Sequence, residues 1–371
     1  MQLVNTSRDS LLKPLQVVGG IVERRHTLPI LANLLFKKQG NKVSFISTDI
    51  EIQITTNANF GVGVDDVTTT VAARKLLDIL RALPEGSVAL NLKDNKMVVQ
   101  SGKSRFSLQT LSAAEFPVMQ SIGEVVASWR MTQKSFRQLV GQVHFAMAQQ
   151  DIRYYLNGML LVVEGKQVIA VATDGHRLAY SQVELVDAPL GSGQRQEIII
   201  PRKTILECQH LLEDSDDVLE MSLTSNQVKF TFGDIELISK LVEGKFPDFQ
   251  RVIPKGHKNS LIVGRDVLQS ALQRAAILTT DKFKGVRFSL SPNRITVQST
   301  NAEQEEAQEE IETEYSGDTV EIGFNVSYLL DVLSNLKNEK IQISLGDANS
   351  SAVITLPGSE DFKYVVMPMR I

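Results

Sequence analysis

The feature that most constrains this chain is a short word that recurs at a long and nearly constant interval. Thr173-Asp174, within the stretch Ala172–Tyr180, has counterparts in Thr48-Asp49 before it and Thr300-Asn301 after it. The intervals between the three threonines are 125 and 127 residues. Because a fixed long period indicates repeated structural units, the sequence predicts three copies of one fold.

A second set of landmarks keeps the same period. A proline follows the start of a helix-like segment after 43, 45 and 42 residues in the three copies, at Pro117, Pro247 and Pro368. Units of about 120 residues have the size of ordinary domains and can each bury a core. The predicted domains are residues 1–124, 125–253 and 254–371.

Each copy shows the same order of helical and strand-like patterns. In the first copy Leu11, Leu15, Val18 and Val22 have the spacing of one helix face within Ser7–Arg25. Alternating runs such as Val88–Leu92 predict half-buried strands. In the second copy the first helix is marked by Phe136, Val140, Val143 and Met147. The sequence therefore predicts an α+β fold, in which each domain is a doubled unit of one helix and an antiparallel sheet.

Composition excludes several classes of protein. No apolar run approaches the roughly 20 residues that span a bilayer, and the N-terminus lacks the pattern of a signal peptide. The chain has one cysteine, Cys208, which cannot form an intrachain disulfide. We expect Cys208 to be a small core residue, and we expect a soluble cytoplasmic protein with no membrane partner.

Positive charge is concentrated in the predicted helices. The six helical segments together carry +9, whereas the whole chain carries −4, so the remaining sequence carries −13. Such sorting favours a polyanion that faces the helices, since phosphate contacts dominate nucleic-acid affinity. An alternative is that solvated helix faces simply mix charges.

Nothing in the sequence predicts catalysis. Asp174 and His176 lie near Arg177, yet no serine or cysteine nucleophile motif accompanies them. The five histidines are scattered, without the spacing of metal ligands. The glycine patterns of dinucleotide and phosphate-binding loops are absent. We therefore predict a non-catalytic protein with no metal and no cofactor.

Six spaced words, in order along the chain, resemble one known family. They are Thr27–Leu31, Arg153–Gly158, Ala172–Leu178, Gly285–Arg287, Gly323–Tyr328 and Tyr364–Ile371. Over essentially its whole length the chain is similar to the bacterial DNA polymerase III β subunits, the sliding clamps. The resemblance implies three similar domains per subunit and two subunits head to tail in a closed ring, with helices inside and sheets outside.

The resemblance also implies the function. Such a ring is a processivity factor that encircles double-stranded DNA without reading its sequence and stays on it by topology. It implies DNA contacts by Arg25, Gln150, Tyr154 and Tyr155, and the tyrosines could stack on unpaired bases. For these two tyrosines, core packing at a helix-to-strand junction is the alternative.

A peptide-binding pocket is the second implied site, formed by the Ala172–Leu178 stretch and the C-terminal tail. By resemblance its lining is Leu156, Thr173, Gly175, His176, Arg177, Leu178, Pro247, Arg251, Val252, Ser351, Val365, Val366, Met367, Pro368, Met369 and Arg370. Methionines suit a surface that adapts to several partners. Asn349 and Ile371 depart from the family pattern, and we expect only Asn349 to alter peptide preference. The tail could also be a final strand, and both roles are compatible.

The implied ring needs an interface between its subunits. The resemblance places Phe106 and Leu108 of one subunit against Ile277 and Leu278 of the other, with Arg105 and acidic residues of the 303–306 region at the rim. An apolar centre with a charged rim is the usual anatomy of a specific interface. Without the resemblance, these four apolar residues would be interpreted as core.

The implied partners are a second copy of the chain, the clamp loader, the polymerase III catalytic subunit, and other polymerases or repair proteins carrying clamp-binding peptides. ATP used in loading would be hydrolysed by the loader, and the expected location is the cytoplasm, associated with the nucleoid. Two other classes remain open. A repeat scaffold could bind proteins without encircling DNA, and an enzyme could act on an acidic substrate, although it would lack a catalytic constellation.

Overall fold

A computed structural model describes residues 1–22, 28–120, 123–188, 190, 193–280 and 283–371. The described chain forms two compact units. Unit 1 contains Met1–Lys134 and His210–Leu241, and unit 2 contains Ser135–Gln209 and Val242–Ile371. These units follow the sheets and not the repeat, so the bounds of the three domains stay predictions.

Helices and strands alternate in the order that the sequence predicts. The helices are α1 (Arg8–Gly19), α2 (Ala73–Ala82), α3 (Gln133–Gly141), α4 (Arg202–Leu211), the single turn α5 (Phe249–Val252), α6 (Arg265–Ala276) and α7 (Val326–Asn335). Short 3₁₀ turns lie at Pro29–Ala32, Ala113–Glu115, His144–Ala146 and Tyr154–Leu156.

The described strands number eight in each predicted copy. The first copy holds β1 (Gln2–Ser7), β2 (Asn33–Gln39), β3 (Lys42–Thr48), β4 (Ile52–Asn59), β5 (Val67–Ala72), β6 (Ser87–Lys93), β7 (Lys96–Ser101) and β8 (Ser104–Gln109). The second holds β9 (Ala127–Thr132), β10 (Gly158–Glu164), β11 (Gln167–Thr173), β12 (Arg177–Glu184), β13 (Arg195–Pro201), β14 (Val218–Leu223), β15 (Gln227–Phe232) and β16 (Ile235–Lys240). The third holds β17 (Asn259–Gly264), β18 (Gly285–Ser291), β19 (Arg294–Thr300), β20 (Glu306–Glu312), β21 (Val320–Asn325), β22 (Lys340–Leu345), β23 (Ala352–Leu356) and β24 (Ser359–Val366).

Unit 1 contains a four-stranded sheet, β1-β6-β7-β8, and an eight-stranded sheet, β5-β2-β3-β4-β16-β15-β14-β9. The long sheet combines strands of the first two copies through the antiparallel pair β4 and β16, with Ile54 opposite Leu237. Both of these side chains are fully buried. One hydrogen-bonded ladder therefore joins two copies.

Unit 2 is built in the same way. Its eight-stranded sheet has the order β13-β10-β11-β12-β24-β23-β22-β17, and its four-stranded sheet has the order β20-β19-β18-β21. The second and third copies meet where β12 pairs with β24, with Leu178 opposite Val365. All strand pairs described in both units are antiparallel, and the predicted α+β class is confirmed.

Helix α1 shows how local sequence sets these elements. Ser7 caps it by accepting the N–H of Ser10, and Leu11, Leu15 and Val18 are its buried residues. At Gly19 a Cβ would lie 2.5 Å from Cδ1 of Leu77 on α2, so glycine permits close packing of the two helices. The predicted helix extended to Arg25, but α1 ends at Gly19; residues 23–27 lie outside the described part of the chain.

The first helix of the second copy is also shorter than predicted. Phe136 and Val140 lie on α3, which ends at Gly141. Val143 and Met147 were predicted on the same helix, but they flank the separate 3₁₀ turn His144–Ala146. All four side chains are buried, so the apolar spacing identified the core correctly and the helix end wrongly. Glycine lowers helix propensity, which explains the position of the end.

The recurring word forms the same turn in both units. The Thr48 hydroxyl accepts the N–H of Ile50 at 3.0 Å and donates to the carbonyl of Ile52 at 2.9 Å. The Thr173 hydroxyl likewise accepts from Gly175 at 3.1 Å and donates to Arg177 at 2.5 Å. In each turn the aspartate that follows accepts two more backbone N–H groups. The first interval of the sequence period therefore corresponds to a repeated hydrogen-bond pattern, whereas in the third copy Asn301 bonds instead with Glu305.

We predict that Thr48→Val lowers the stability of unit 1. Valine keeps the shape of threonine but removes both hydrogen bonds of the buried Thr48 hydroxyl, at a cost of about 1–3 kcal/mol. Trp129, the single tryptophan, is buried in unit 1 and provides a fluorescence signal for urea unfolding. Thr68→Val, at an exposed position on β5, is the control. Equal midpoints for the two variants would contradict the role of the turn.

Candidate functional site

The Thr173–Arg177 turn and the C-terminal tail meet at the end of strands β12 and β24. The N–H of Met367 donates to the carbonyl of His176 at 3.0 Å, directly after the paired residues Arg177 and Val366. Gly175 has a φ of 90°, a conformation that glycine adopts without strain. The sheet register therefore places the two sequence words predicted to form one site side by side.

One face of this junction is apolar. Leu156, Leu178 and Val365 belong to one buried cluster with Phe246 and Phe249. Beside these buried residues, the side chains of Met367 and Val252 remain about half exposed, at 49% and 48%. The arrangement gives an apolar floor with a partly exposed apolar rim, which suits a peptide side chain.

The side chain of Arg177 lies on the opposite face of the sheet. Successive residues of a strand point to opposite faces, so Leu178 faces the apolar cluster whereas Arg177 faces helix α7. Its guanidinium donates to Asp174 at 3.1 Å, to Asp331 at 2.6 Å and to the carbonyl of Phe145 at 2.8 Å. It also lies 4.5 Å from the ring centroid of Tyr328. Arg177 therefore positions the turn and does not add its side chain to the apolar floor.

Burial and neighbouring charges shift the pKa of Arg177 in opposite directions. Burial alone lowers the pKa of Arg177, but its interactions with Tyr364, Asp331 and Asp174 outweigh that effect and the pKa is raised. Burial raises the pKa of Tyr364, whose hydroxyl donates to the carbonyl of Tyr328 at 2.8 Å. These groups form a polar network that ties β12 and β24 to α7.

The remaining residues of the implied pocket lie around this junction with different exposures. The Arg251 side chain is exposed and pairs with Asp248 at 2.9 Å, and the Ser351 carbonyl contacts a ring nitrogen of His257 at 2.9 Å. Arg370 and Pro247 are exposed, Thr173 is buried, and Pro368 and Met369 are half-buried. None of these positions by itself distinguishes a pocket residue from an ordinary surface residue.

Sequence reasoning missed part of the apolar cluster. Phe249, on the single turn α5, packs with its ring centroid 6.0 Å from that of Tyr180. A helix of one turn has no periodic pattern, so nothing in the sequence pointed to Phe249. Phe246 did carry a signal, because it directly precedes Pro247, one of the three recurring prolines.

The loop that carries the candidate DNA contacts is held in a defined shape. Gln150 adopts a positive φ of 56°, and Arg153 pairs with Asp151 through two hydrogen bonds of 3.0 and 2.8 Å. The side-chain hydrogen bond from Arg153 lowers the pKa of Asp151 to about 2. Arg153 also donates to the carbonyl of Asp174 at 3.1 Å, which connects this loop to the pocket turn.

The two candidate tyrosines differ in environment. Tyr154 is 57% exposed, whereas Tyr155 packs against the apolar cluster, and their ring centroids are 5.8 Å apart. The exposure of Tyr154 is compatible with stacking on a base, whereas the core-packing alternative fits Tyr155. The fourth candidate, Arg25, lies outside the described residues.

The candidate interface residues lie on strand β8 and directly after helix α6. Phe106 is 37% exposed and Leu108 half-buried on β8, the outer strand of its sheet in unit 1. In unit 2, Ile277 is 76% exposed just after α6, and Leu278 is half-buried. The alternative that these are core residues does not fit Phe106 or Ile277.

The described residues offer no sign of a metal site or a membrane span. No group of three or more His, Cys, Asp or Glu side chains there is placed to hold a metal ion. No helix described is long and apolar enough to span a bilayer. Cys208 is buried, and that burial raises the pKa of its thiol, in keeping with a core residue.

Three family models match consecutive parts of the chain. They are the N-terminal domain of the DNA polymerase III beta subunit at residues 1–120, its central domain at 130–248 and its C-terminal domain at 250–370. The beta sliding clamp of Pseudomonas putida is 44% identical over 365 residues, and that of Escherichia coli is 44% identical over 366, each covering 98% of both chains.

Solved structures agree with this assignment. A sliding clamp of Pseudomonas aeruginosa, solved with bound griselimycin, aligns with a TM-score of 0.95 at 42% identity and covers 100% of both chains. Identity at this level over the whole length, together with all three domains in order, shows common fold and descent. The chain therefore belongs to the family of DNA polymerase III beta subunits, the bacterial sliding clamps.

Proposed function

We propose that two copies of this sliding clamp close head to tail into a ring around duplex DNA and tether polymerases through the pocket beside the C-terminal tail. The observation that carries the proposal is the convergence of the Thr173–Arg177 turn, the tail and the apolar cluster on one sheet end. The family is an accessory subunit of the polymerase and not its catalytic subunit.

The apolar floor supports peptide binding. Each apolar side chain that a peptide buries there would contribute about 1.5–3 kcal/mol before the costs of association. Met367 and Met369 can adapt to different side chains, because the thioether chain is unbranched and polarisable. One pocket can thus serve the polymerase III catalytic subunit, other polymerases, repair proteins and the clamp loader in turn.

Two outer strands support ring closure. Among the described strands, β8 pairs only with β7, and β20 pairs only with β19. Unpaired strand edges invite pairing with another chain. Lys103 directly precedes β8 and Arg105 lies on it, and both side chains are exposed. Strand β20 carries the exposed side chains of Glu306, Glu310 and Glu312. Pairing β8 of one subunit with β20 of its partner would satisfy both edges and bring opposite charges together.

The charge pattern supports mobile binding of DNA. Among the described helices, α1 to α4, α6 and α7 together carry a net +6 in a chain of net charge −4, a modest positive field without a dense basic stripe. Contacts to phosphates position a protein but do not read sequence. A closed ring with such an interior would hold DNA by topology and still slide. A protein-binding scaffold remains the second candidate, but it gives no role to the two strand edges.

We predict that replacing Phe106 and Leu108 together by alanine yields folded monomers, because each contact loses its apolar centre. Light scattering should give the 41.1 kDa mass of one chain for this variant and twice that mass for the wild type. Val125→Ala with Val126→Ala, which removes two exposed apolar side chains elsewhere, is the control and should stay dimeric. An unchanged mass for the first variant would refute the assignment of β8.

Deleting Met367–Ile371 should abolish peptide binding and leave the ring intact. The deletion begins after β24 ends at Val366, so the sheet keeps its pairing. Binding of a fluorescently labelled clamp-binding peptide, followed by anisotropy, should fall by at least tenfold, about 1.4 kcal/mol. Light scattering serves as the control for dimerisation. Full affinity after the deletion would place the pocket elsewhere.

Retention on circular DNA tests the ring directly. With a clamp loader and ATP, the wild type should stay on a nicked circular plasmid and be lost when the circle is cut once. The Phe106→Ala, Leu108→Ala variant should not be retained on either form. Equal retention of the wild type on circular and linear DNA would indicate ordinary charge-driven binding and favour the scaffold.

A further inference from the structure

Two glycines of the third copy contact the end of the tail. The N–H of Met369 donates to the carbonyl of Gly323 at 2.7 Å, on β21, the outer strand of its sheet in the described chain. The side chain of Ile371 lies against Gly323 and against Gly285 on the neighbouring strand β18. The tail therefore has a second attachment, beyond its hydrogen bond to His176.

Space, and not backbone conformation, explains glycine at these positions. Neither Gly285 nor Gly323 is among the residues with a positive φ. A Cβ at Gly323 would lie 2.2 Å from the carbonyl oxygen of Met369 and 2.5 Å from Cγ1 of Ile371. A Cβ at Gly285 would meet Ile371 Cγ1 at 3.4 Å and Phe283 Cε1 at 3.2 Å. A Cβ at position 323 would therefore require the Met369 backbone to move, whereas a Cβ at position 285 would require only small shifts of neighbouring side chains.

Glycine within a strand weakens it and often marks a site where another backbone approaches closely. Here the approaching backbone is that of Met369, in the segment after β24. The face involved is opposite to the core, because the neighbouring pair Val286 and Phe324 is buried. These glycines therefore make room for the tail and not for core packing.

We propose that Gly323 and Gly285 form a seat for Ile371, and that this seat fixes Met367 and Met369 as one wall of the peptide pocket. The inference rests on the proposed function of the pocket. A tail held at His176 and at Gly323 is already ordered before a partner arrives, so binding does not bear the cost of ordering it. Gly323 is then a positioning residue for a site to which it does not itself belong.

Gly323→Ala tests the seat in two ways. In the absence of peptide, carboxypeptidase should release Ile371 and Arg370 faster than from the wild type, as followed by mass spectrometry. Peptide affinity should fall by about tenfold, because the tail loses its preorganised position. Gly285→Ala should have the same effects to a smaller degree. Gly123→Ala, where a Cβ meets nothing within 4 Å, is the matched control and should behave as wild type.

A second background separates seating from general damage to β21. In a chain that lacks Met369–Ile371 the seat has no occupant, so Gly323→Ala should leave the urea midpoint, followed by circular dichroism, unchanged. A lower midpoint in that shortened chain, or unchanged release of Ile371 by carboxypeptidase from the unshortened Gly323→Ala protein, would overturn the proposal. Wild-type protein that fails to bind peptide would refute the pocket instead, while the release rates would still test the seat.

Discussion

Strand pairing between successive copies is the interaction on which the rest of the structure depends. The pair β4 and β16 joins the first copy to the second, and the pair β12 and β24 joins the second to the third. Without the second pair, Leu178 and Val365 would not share a face, and Met367 would not reach His176. The candidate pocket is thus a consequence of joining copies by a sheet and not by a flexible linker.

The same joint in unit 1 has different side chains and a different outcome. Gln53 stands where the second joint has Leu178, and it is buried and accepts the N–H of Met119 at 2.8 Å. Lys240 takes the place of Met367 and pairs with Glu51 at 3.0 Å. The segment at Met119 and the Lys240–Glu51 ion pair therefore occupy this joint. Identical backbone hydrogen bonding provides the frame, and a few side chains decide which copy offers an apolar surface.

The sequence predicted the features that depend on local spacing, but it did not predict contacts between residues that only strand pairing brings together. The interval between Thr48 and Thr173 predicted repeated copies of one fold, and the structure has the same threonine hydrogen bonds at both positions. Alternation along a strand separates Arg177 from Leu178, but without the identity of the partner strand the sequence could not assign a face to either. Asp331 and Tyr328, which hold Arg177, lie about 150 residues away along the chain, a distance across which periodicity carries no information.

The pocket turn is held by polar contacts and not by the apolar floor. Oδ1 of Asp174 accepts the N–H groups of His176 and Arg177, its Oδ2 accepts from the Arg177 guanidinium, and its carbonyl accepts from Arg153. A surface that serves several partners in turn benefits from such an arrangement, because exchange of apolar side chains on the floor does not disturb the bonds that fix its edge. In the proposed function, rigidity of the turn and adaptability of the methionines are separate properties of separate residues. A partner peptide would then bind between a fixed turn and flexible methionine side chains.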